Sequence, residues 1–356
     1  MRERTFARDT EGWTRREVLS GALGAAVASA GVSFLSGCTR RAGTAEVFIA
    51  QVGSYESDIA SVVLSGLKEL GVTEEEIRGK RILLKPNLIE PRRGAEHVNT
   101  HPLVIRGTAE CFLRKGASSV LVAEGPGHTR DSLLVLGESG LGEVLRDDRI
   151  PFVDLNYVSG YPVTNTSRLT RLPALTLPVT LREVDWVVSV AKMKTHHWAG
   201  VTLSMKNLFG VMPGIYYGWP KNVFHWEGIA QSIIDINEAV KPSFAIVDGV
   251  VGMEGDGPIM GTPKHAGVLV MGRNLTAVDA TCARVMGIDP KKVSYLAAAS
   301  RRFGPIGESR IRQLGEAIGS VRTEFSLLER IDAHKGLRMS SGSVSSPAEE
   351  NIRTGT

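Results

Sequence analysis

The sequence predicts an α/β fold in which a mostly parallel sheet is flanked by helices. Short, uninterrupted apolar runs alternate along the chain with segments whose apolar residues recur at helical spacing. Uninterrupted apolar strands are typical of parallel sheets, because such strands are buried on both faces. The chain has 356 residues, 42% of them hydrophobic, which is enough for one large core or for two lobes around a central cleft.

The first five predicted elements alternate between strand and helix. Gly71 and Gly116 follow the two helices, at the position where glycine commonly ends a helix. The strands lie at 46–52, 81–85 and 119–124, and the helices lie at 59–70 and 102–115.

The pattern loosens between 148 and 181, where four prolines separate short alternating runs. Alternation is typical of antiparallel strands, so we expect an irregular antiparallel insertion there. Regular elements then resume, with strands at 185–190, 243–247 and 267–271 and helices at 227–240, 276–286 and 290–301. We therefore assign 45–336 to a single α/β domain and expect the Ser-, Gly- and Glu-rich tail 337–356 to be disordered.

Residues 1–38 have the layout of an export signal. Arg15 and Arg16 precede a charge-free run rich in Ala, Gly and Ser, which is too polar for a transmembrane helix of roughly 20 apolar residues. The paired arginines resemble a twin-arginine signature, and 35–38 resembles a bacterial lipobox. This predicts export by the twin-arginine machinery and lipidation of Cys38, which would anchor a periplasmic or cell-surface lipoprotein to a membrane. An ordinary signal peptide and an uncleaved anchor are the alternatives.

The composition argues against several classes of protein. Lys and Arg number 42 against 38 Asp and Glu, and no basic stripe is interleaved with aromatic residues, so no nucleic acid is expected as a partner. Three cysteines fall short of the four thiolates of a usual iron–sulfur cluster, so none is expected. The chain has no Walker loop and no glycine fingerprint of a dinucleotide site, which disfavours ATP and NAD.

Polar and ionisable side chains follow four of the predicted strands. Lys85 and Asn87 follow the second strand and Glu124 ends the third, while the segments 192–197 and 248–258 follow two later strands. In open α/β sheets, ligands bind outside the carboxyl ends of the strands. These residues are therefore expected to line a cleft for a small anionic molecule.

The predicted anion site consists of lysine and amide groups, which suit a carboxylate or phosphate. A helix that begins near 201 is expected to direct its N-terminus at the same place. The anion-binding residues are Lys85, Asn87, Lys192, Lys194, Lys206 and Asn207.

Two kinds of chemistry are open for the histidines and carboxylates. In a metal-free site, His196 is a general acid or base and the lysines stabilise negative charge. In a metal site, nitrogen and oxygen ligands hold a divalent cation. The next residue is also a histidine, and the Lys-x-Lys-Thr-His pattern favours His196 of the two. The predicted catalytic residues are His196, Asp248 and Glu254, and in the metal-site alternative the predicted ligands are His196, His225 and Asp256.

Six short motifs occur in an order that resembles the family called domain of unknown function 362. They lie between about 81 and 289, at 85–87, 124–127, 192–196, 206–210, 254–258 and 277–279. The resemblance implies no particular activity. Many relatives carry cysteine-rich ferredoxin-like segments, but this chain lacks those cysteines.

A shorter likeness joins 206–214 to the Lys-to-Pro-Gly loop of nickel-pincer lactate racemases. It implies a racemase or epimerase that needs an organometallic cofactor supplied from outside. The leading hypothesis is therefore an exported enzyme that acts on a small anionic substrate or cofactor. The alternatives are a non-catalytic lipoprotein that binds a ligand or metal, and an assembly factor for a redox protein.

Overall fold

The centre of the fold is a mixed β-sheet covered by helices on both faces. In the computed structural model, residues 43–127 and 131–339 are described. Within these ranges the strands are β1 Ala45–Gln51, β2 Arg81–Lys85, β3 Ser119–Glu124, β4 Phe152–Asp154, β5 Gly160–Thr164, β6 Ala174–Pro178, β7 Trp186–His196, β8 Gly200–Thr202, β9 Phe244–Glu254, β10 Thr262–Gly272 and β11 Ile311–Gly315.

Nine strands of the described ranges form the main sheet, in the order β11-β1-β10-β9-β7-β2-β3-β4, with β8 paired to β7. The run from β9 through β7, β2 and β3 to β4 is parallel, and β11 is parallel to β1. β10 is antiparallel to both of its neighbours. The predicted α/β fold with a mostly parallel sheet is confirmed.

The irregular segment forms a separate two-stranded antiparallel sheet, in which β5 pairs with β6. It lies within the stretch where the prolines predict an antiparallel insertion. Residues from 43 onwards that the structure describes fall within one compact unit, without a division into two lobes.

The helices of the described ranges cover the sheet in two layers. They are α1 Ile59–Glu69, α2 Glu74–Ile77, α3 Pro102–Arg114, α4 Ser132–Glu138, α5 Leu141–Asp147, α6 Ser204–Asn207, α7 Gly214–Tyr217, α8 Asn222–Trp226, α9 Ile229–Val240, α10 Leu275–Val285, α11 Ser294–Ala299 and α12 Ile318–Val321. No helix of these ranges has both the length and the apolar character needed to cross a bilayer.

Alternate residues of the strands face two different hydrophobic cores. Ile82 and Leu84 of β2 pack with α1 and α3, whereas Leu83 packs with α9 and α10 on the opposite face. Side chains of a strand point alternately to the two faces of a sheet, so a strand covered on both faces has no polar side. This accounts for the uninterrupted apolar runs in the sequence.

β7 and β9 are longer than the sequence predicts. Each extends for eleven residues, β7 to His196 and β9 to Glu254, where ends at 190 and 247 are predicted. All eleven residues of β7 are buried, including two lysines. Charged residues such as Lys192 and Lys194 are typical of a loop, but in the structure they continue β7. Asp248 is therefore inside a strand and not beyond its end.

The two termini of the chain differ in how much is described. The predicted signal, including Cys38, lies outside the described residues, as does 340–356. Leu337 is buried, and its carbonyl accepts a hydrogen bond of 2.8 Å from the Asp289 N–H. The packed chain therefore extends past 336, where the disordered tail is predicted to begin.

Candidate functional site

A cavity of about 260 Å³ opens at the carboxyl ends of β2, β3 and β7. Each of these parallel strands ends on a polar residue that lines it: Lys85, Glu124 and His196 respectively. The short helices α6 and α8 contribute further polar groups. The polar lining consists of Lys85, Asn87, Glu124, His196, His197, Thr202, Lys206, Asn207, Lys221 and His225.

Lys85 and Glu124 form a buried ion pair in the wall of this pocket, with each side chain 1% exposed. The Lys85 ammonium donates to Glu124 Oε2 (2.7 Å), to the Pro86 carbonyl (2.6 Å) and to Asn207 Oδ1 (3.0 Å). An ammonium has three protons to donate, so all of its donors are used. Burial lowers the pKa of Lys85, and the Glu124 carboxylate opposes that shift.

Asn207 is also fully hydrogen-bonded. Its amide nitrogen donates to the Lys85 carbonyl (3.0 Å) and to Ser189 Oγ (3.1 Å). The structure thus places Lys85 and Asn207 at the predicted site, but as parts of its wall. Glu124, absent from the predicted site residues, could have been found because it ends a strand within one of the family motifs.

Lys206 differs from Lys85 because its ammonium has no hydrogen bond or ion pair within the described residues. The side chain is half-buried, and Nζ lies 4.0 Å from the centre of the Phe209 ring. Burial, with the charge of Lys85, lowers the pKa of Lys206 to about 7. Near neutral pH, the pocket therefore contains an amine that is charged only part of the time.

Lys221 is a third lysine of the pocket, and the sequence analysis missed it. Its Nζ donates to Asn156 Oδ1, and its side chain is buried. Burial lowers the pKa of Lys221 to about 7. The segment before α8 carries no motif, so only the three-dimensional packing reveals this residue.

His196 presents a hydrogen-bond donor to its surroundings. Its Nδ1 accepts from the backbone N–H groups of Trp198 (3.0 Å) and Ala199 (3.2 Å), so the proton of the neutral ring is on Nε2. Burial, with the nearby charge of Lys206, holds the pKa of His196 well below its usual value. This tautomer makes His196 a donor and not the proton acceptor that the sequence analysis considers.

The other two histidines of the pocket have the opposite tautomer. His197 Nδ1 lies 2.9 Å from the Gly257 carbonyl, and His225 Nδ1 lies 3.1 Å from the Lys221 carbonyl. A carbonyl accepts only, so in both rings Nδ1 carries the proton and Nε2 has a free lone pair. Burial lowers the pKa of His225 to about 4. The neutral His225 ring is therefore a proton acceptor in the pocket.

Two polar atoms at the pocket lack any partner within the described residues. They are Oδ1 of Asn87 and Oγ1 of Thr202, and both side chains are buried. Buried polar atoms in proteins are nearly always hydrogen-bonded. Both residues belong to the lining of the pocket.

Lys192 and Asp248 do not line this pocket, which corrects their predicted position. They are neighbours in register on β7 and β9, and both are fully buried. Lys192 Nζ donates to Asp248 Oδ2 (2.6 Å) and to the Tyr55 hydroxyl (2.9 Å), and that hydroxyl donates to Asp248 Oδ1 (2.9 Å). The two charges satisfy each other inside the sheet.

Glu254 and Asp256 lie away from the pocket as well. Glu254 Oε2 accepts from the Ser326 N–H (2.8 Å), and Asp256 Oδ2 accepts from Arg330 (2.9 Å). Both carboxylates hold the segment that follows β11 and α12. The predicted metal ligands are therefore not brought together, and the described ranges contain no group of three His, Cys, Asp or Glu side chains arranged to hold a metal ion.

Lys194 is close to the pocket but behind its wall. It is fully buried, and its ammonium donates to the Val98 carbonyl and to the Pro258 carbonyl (3.3 Å). Pro258 lines the pocket, whereas Lys194 does not. Burial, with the charge of Lys192, holds the pKa of Lys194 well below its usual value.

The N-terminus of α6 is not available to a ligand. Its first backbone N–H groups, from Ser204 and Met205, donate to the Asp279 carboxylate at 2.8 and 3.1 Å. A carboxylate at this position satisfies the positive end of the helix. The prediction that a helix N-terminus contributes to the anion site is therefore wrong for α6.

Comparisons with known proteins include a curated relative and several solved structures, two of which are described here. The thylakoid-associated protein sll1697 of Synechocystis sp. is 27% identical over 231 residues, which are 63% of this chain and 68% of that protein. The lactate racemase apoprotein from Thermoanaerobacterium thermosaccharolyticum aligns with a TM-score of 0.41 and 16% identity, over 68% of this chain and 57% of that one. A protein from Thermotoga maritima aligns with a TM-score of 0.36 and 14% identity, over 65% of this chain and 59% of that one. The chain thus spans less than two thirds of either solved structure.

A family model matches the middle of the chain. The model described as Domain of unknown function (DUF362) matches residues 82–284, which is more than half of the chain and includes β2, β3, β7 and α6. These elements carry most of the motifs that indicate the resemblance in the sequence, and the chain belongs to the DUF362 family.

Proposed function

We propose that the protein is an exported enzyme that binds a small anionic substrate or cofactor in the pocket at the ends of β2, β3 and β7. One observation carries the proposal. Lys206, Asn87 and Thr202 all line one cavity, and the Lys206 amine, Asn87 Oδ1 and Thr202 Oγ1 have no hydrogen-bond partner in the described chain. A carboxylate or phosphate would accept from the lysine and the hydroxyl.

The histidines favour an enzyme over a simple carrier. A carrier needs only groups complementary to its ligand, whereas an enzyme also needs a poised acid or base. In this proposal the Nε2–H of His196 donates to a ligand oxygen on which negative charge develops. The lone pair of His225 Nε2 accepts a proton from the bound molecule. A non-catalytic anion-binding lipoprotein is the second candidate, supported by the unpartnered polar atoms alone.

A metal bound by the protein alone does not fit the side chains of the described pocket. His196 uses Nδ1 for two backbone N–H groups, and Asp256 is paired with Arg330 elsewhere. We therefore derive no step through a metal. The organometallic cofactor remains a prediction from the sequence likeness at 206–214.

Export and membrane attachment are proposed from the sequence of 1–38, whose structure is not described. The twin-arginine machinery would carry the folded protein, and lipidated Cys38 would attach it to a membrane. The curated relative in Synechocystis is described as thylakoid-associated, which supports a place at a membrane.

Calorimetric titration of the mature protein with oxalate, lactate or phosphate tests the proposal that the pocket binds a small anion. Because the pKa of Lys206 is about 7, its charge is lost as the pH rises, and affinity should be higher at pH 6 than at pH 8. The loss above pH 7 is at most about tenfold per pH unit for one required proton. Lys206→Met should weaken binding at least tenfold at pH 6.

Lys291→Met, which removes an exposed lysine, is the matched control and should bind like the unmodified protein. Failure of all these anions to bind, or equal binding by Lys206→Met, would contradict the proposal.

Exchange of the C–H hydrogen of bound lactate in D₂O, followed by NMR, tests whether the protein is an enzyme. His225→Gln should slow that exchange without weakening binding. Binding without exchange would leave the carrier as the function.

A further inference from the structure

We propose that Lys206 is a nucleophile that forms an imine with the carbonyl group of a small oxo acid. The inference rests on the proposed function, because it takes the same pocket as the site, and it names a substrate class and a reaction step. Its evidence is the contrast among the lysines of the pocket.

The three lysines that line the pocket differ in what their amines contact. The Lys85 ammonium uses all three donors within the wall. The Lys221 amine is held by Asn156 Oδ1, and its side chain is 1% exposed. Lys206 alone of these three is half-buried with an amine that has no hydrogen-bond partner within the described residues. It is the amine that a molecule in the cavity can reach.

The surroundings of Lys206 also keep the amine reactive. An amine attacks a carbonyl only in its neutral form, which burial in apolar surroundings favours. Burial and the charge of Lys85 disfavour a positive charge on Nζ, and they outweigh the attraction of the Phe209 ring face for an ammonium 4.0 Å from its centre. A pKa of about 7 leaves about half of the Lys206 amines neutral at pH 7.

The proposed step is balanced without an oxidant or reductant. The Lys206 nitrogen attacks the carbonyl carbon, a C–N bond forms, and the carbonyl oxygen leaves as water with the two amine hydrogens. The Nε2–H of His196 would stabilise the oxygen while it carries negative charge. The product is the imine between Lys206 and the oxo acid.

Two further observations favour an oxo acid over a simple aldehyde. The unpartnered hydroxyl of Thr202 suits a carboxylate next to the carbonyl, and the positive charge of Lys221 in the wall favours an anion in the pocket. An imine withdraws electrons from the adjacent carbon, which makes a C–H bond there easier to break. The His225 ring lies 5.8 Å from the Phe209 ring that Lys206 covers, so a proton acceptor is close to the proposed adduct.

Reductive trapping tests this step directly. The purified mature protein is incubated at pH 7 with pyruvate or glyoxylate and sodium cyanoborohydride, and the modified lysines are mapped by mass spectrometry. We expect one adduct per chain, on Lys206, with Lys221 and exposed lysines such as Lys291 modified at least tenfold more slowly. The rate should rise between pH 6 and pH 8, which is opposite to the pH dependence of anion binding.

Lys206→Arg retains a positive charge without a nucleophilic amine and should lose the adduct, whereas Lys291→Arg should retain it. Modification spread over exposed lysines without an excess at Lys206 would overturn the inference, and this result needs no variant to fold. An adduct formed equally by Lys206→Arg would overturn it as well. Anions that bind with no adduct at Lys206 would refute the imine and leave the proposed function intact.

Discussion

The carboxylate of Asp248 accepts hydrogen bonds from three separate parts of the chain. Tyr55 donates through its hydroxyl, Lys192 through its ammonium and His101 through its backbone N–H, at distances of 2.6–3.0 Å. The Tyr55 ring stacks on the His101 ring, with centres 3.6 Å apart. This network connects β7 and β9 to the chain before α1 and α3, so its role is to hold the sheet and its covering segments together.

Asp248→Ala should therefore act on stability and not on the pocket. The substitution leaves the buried Lys192 charge without its partner, which typically costs about 3–5 kcal/mol. Denaturant unfolding should show this loss, and anion binding by the folded fraction should be unchanged. Glu69→Ala, at an exposed position, should change the free energy of unfolding by less than about 0.5 kcal/mol. If Asp248→Ala unfolded with normal stability but no longer bound anions, Asp248 would be a residue of the binding site, as the sequence predicts.

How far the sequence predicts the site depends on whether a contact is local. Lys85, Lys206 and His196 were found because each ends a strand or lies in a short motif, and the parallel strands bring their ends together. The partners that decide their roles are distant. Glu124, 39 positions from Lys85, neutralises its charge, and the neighbouring backbone fixes the tautomer of His196. The residue types predict where the site lies. The charge of Lys85 and the position of the proton on the His196 ring depend on how distant parts of the chain pack.

At the scale of elements, the five predicted helices and the first three strands agree with the structure to within about four residues, but the ends of β7 and β9 and several short helices and strands were not predicted. The uninterrupted apolar run that predicts each strand stops at Lys192 and at Asp248, although the strands continue. Their charges are tolerated because the two strands lie side by side and the side chains pair across them. A one-dimensional pattern contains no information about that pairing.

The loop between β9 and β10 is placed by close backbone packing against β7. A Cβ atom at Gly257 would overlap the Thr195 carbonyl on β7. The Gly257 carbonyl in turn accepts hydrogen bonds from the N–H (3.0 Å) and Nδ1 (2.9 Å) of His197. The glycine therefore sets the position of a histidine of the pocket.

Gly257→Ala should push this loop away from β7. We expect a loss of about 1–3 kcal/mol in the free energy of unfolding, typical of steric overlap in a packed region, together with weaker anion binding. Gly319 in α12 offers the matched control, because a Cβ there meets open space. Gly319→Ala should be neutral or should stabilise by up to about 1 kcal/mol, since alanine favours helix. Equal effects of the two substitutions in thermal unfolding would contradict this account.

For the whole molecule, the pocket lysines make stability depend on pH in an unusual direction. Burial lowers the pKa of Lys206 and Lys221 to about 7, against about 10.4 in an unfolded chain. Between these values the unfolded state binds more protons than the folded state, so the free energy of unfolding rises with pH. Each lysine contributes at most about 1.4 kcal/mol per pH unit. Below pH 7 both states are protonated, and this contribution to the slope disappears.

Other buried groups determine how stability changes with pH below and above that range. His101 and His225, with pKa values lowered to about 4, destabilise the fold as the pH falls below 6.5, because only the unfolded chain takes up their protons. Asp279, with a pKa raised to about 6, opposes them between about pH 4 and pH 6. At alkaline pH, burial raises the pKa of Cys282, so its ionisation in the unfolded chain alone begins to oppose folding.

We therefore expect the ligand-free protein to be more stable at pH 8.5 than at pH 6.5, as measured by denaturant unfolding at constant ionic strength. Lys206→Met removes one titrating amine, so it should raise stability at pH 6.5 and flatten the rise towards pH 8.5. Lys291→Met should leave the slope unchanged, because that lysine is exposed in both states. Saturating oxalate should flatten the rise, since it keeps the Lys206 amine protonated in the folded protein and so removes that amine's contribution to the slope. A slope that is identical in Lys206→Met would mean that this amine is charged in the folded protein, which would remove the basis for both its pH-dependent binding and its nucleophilic role.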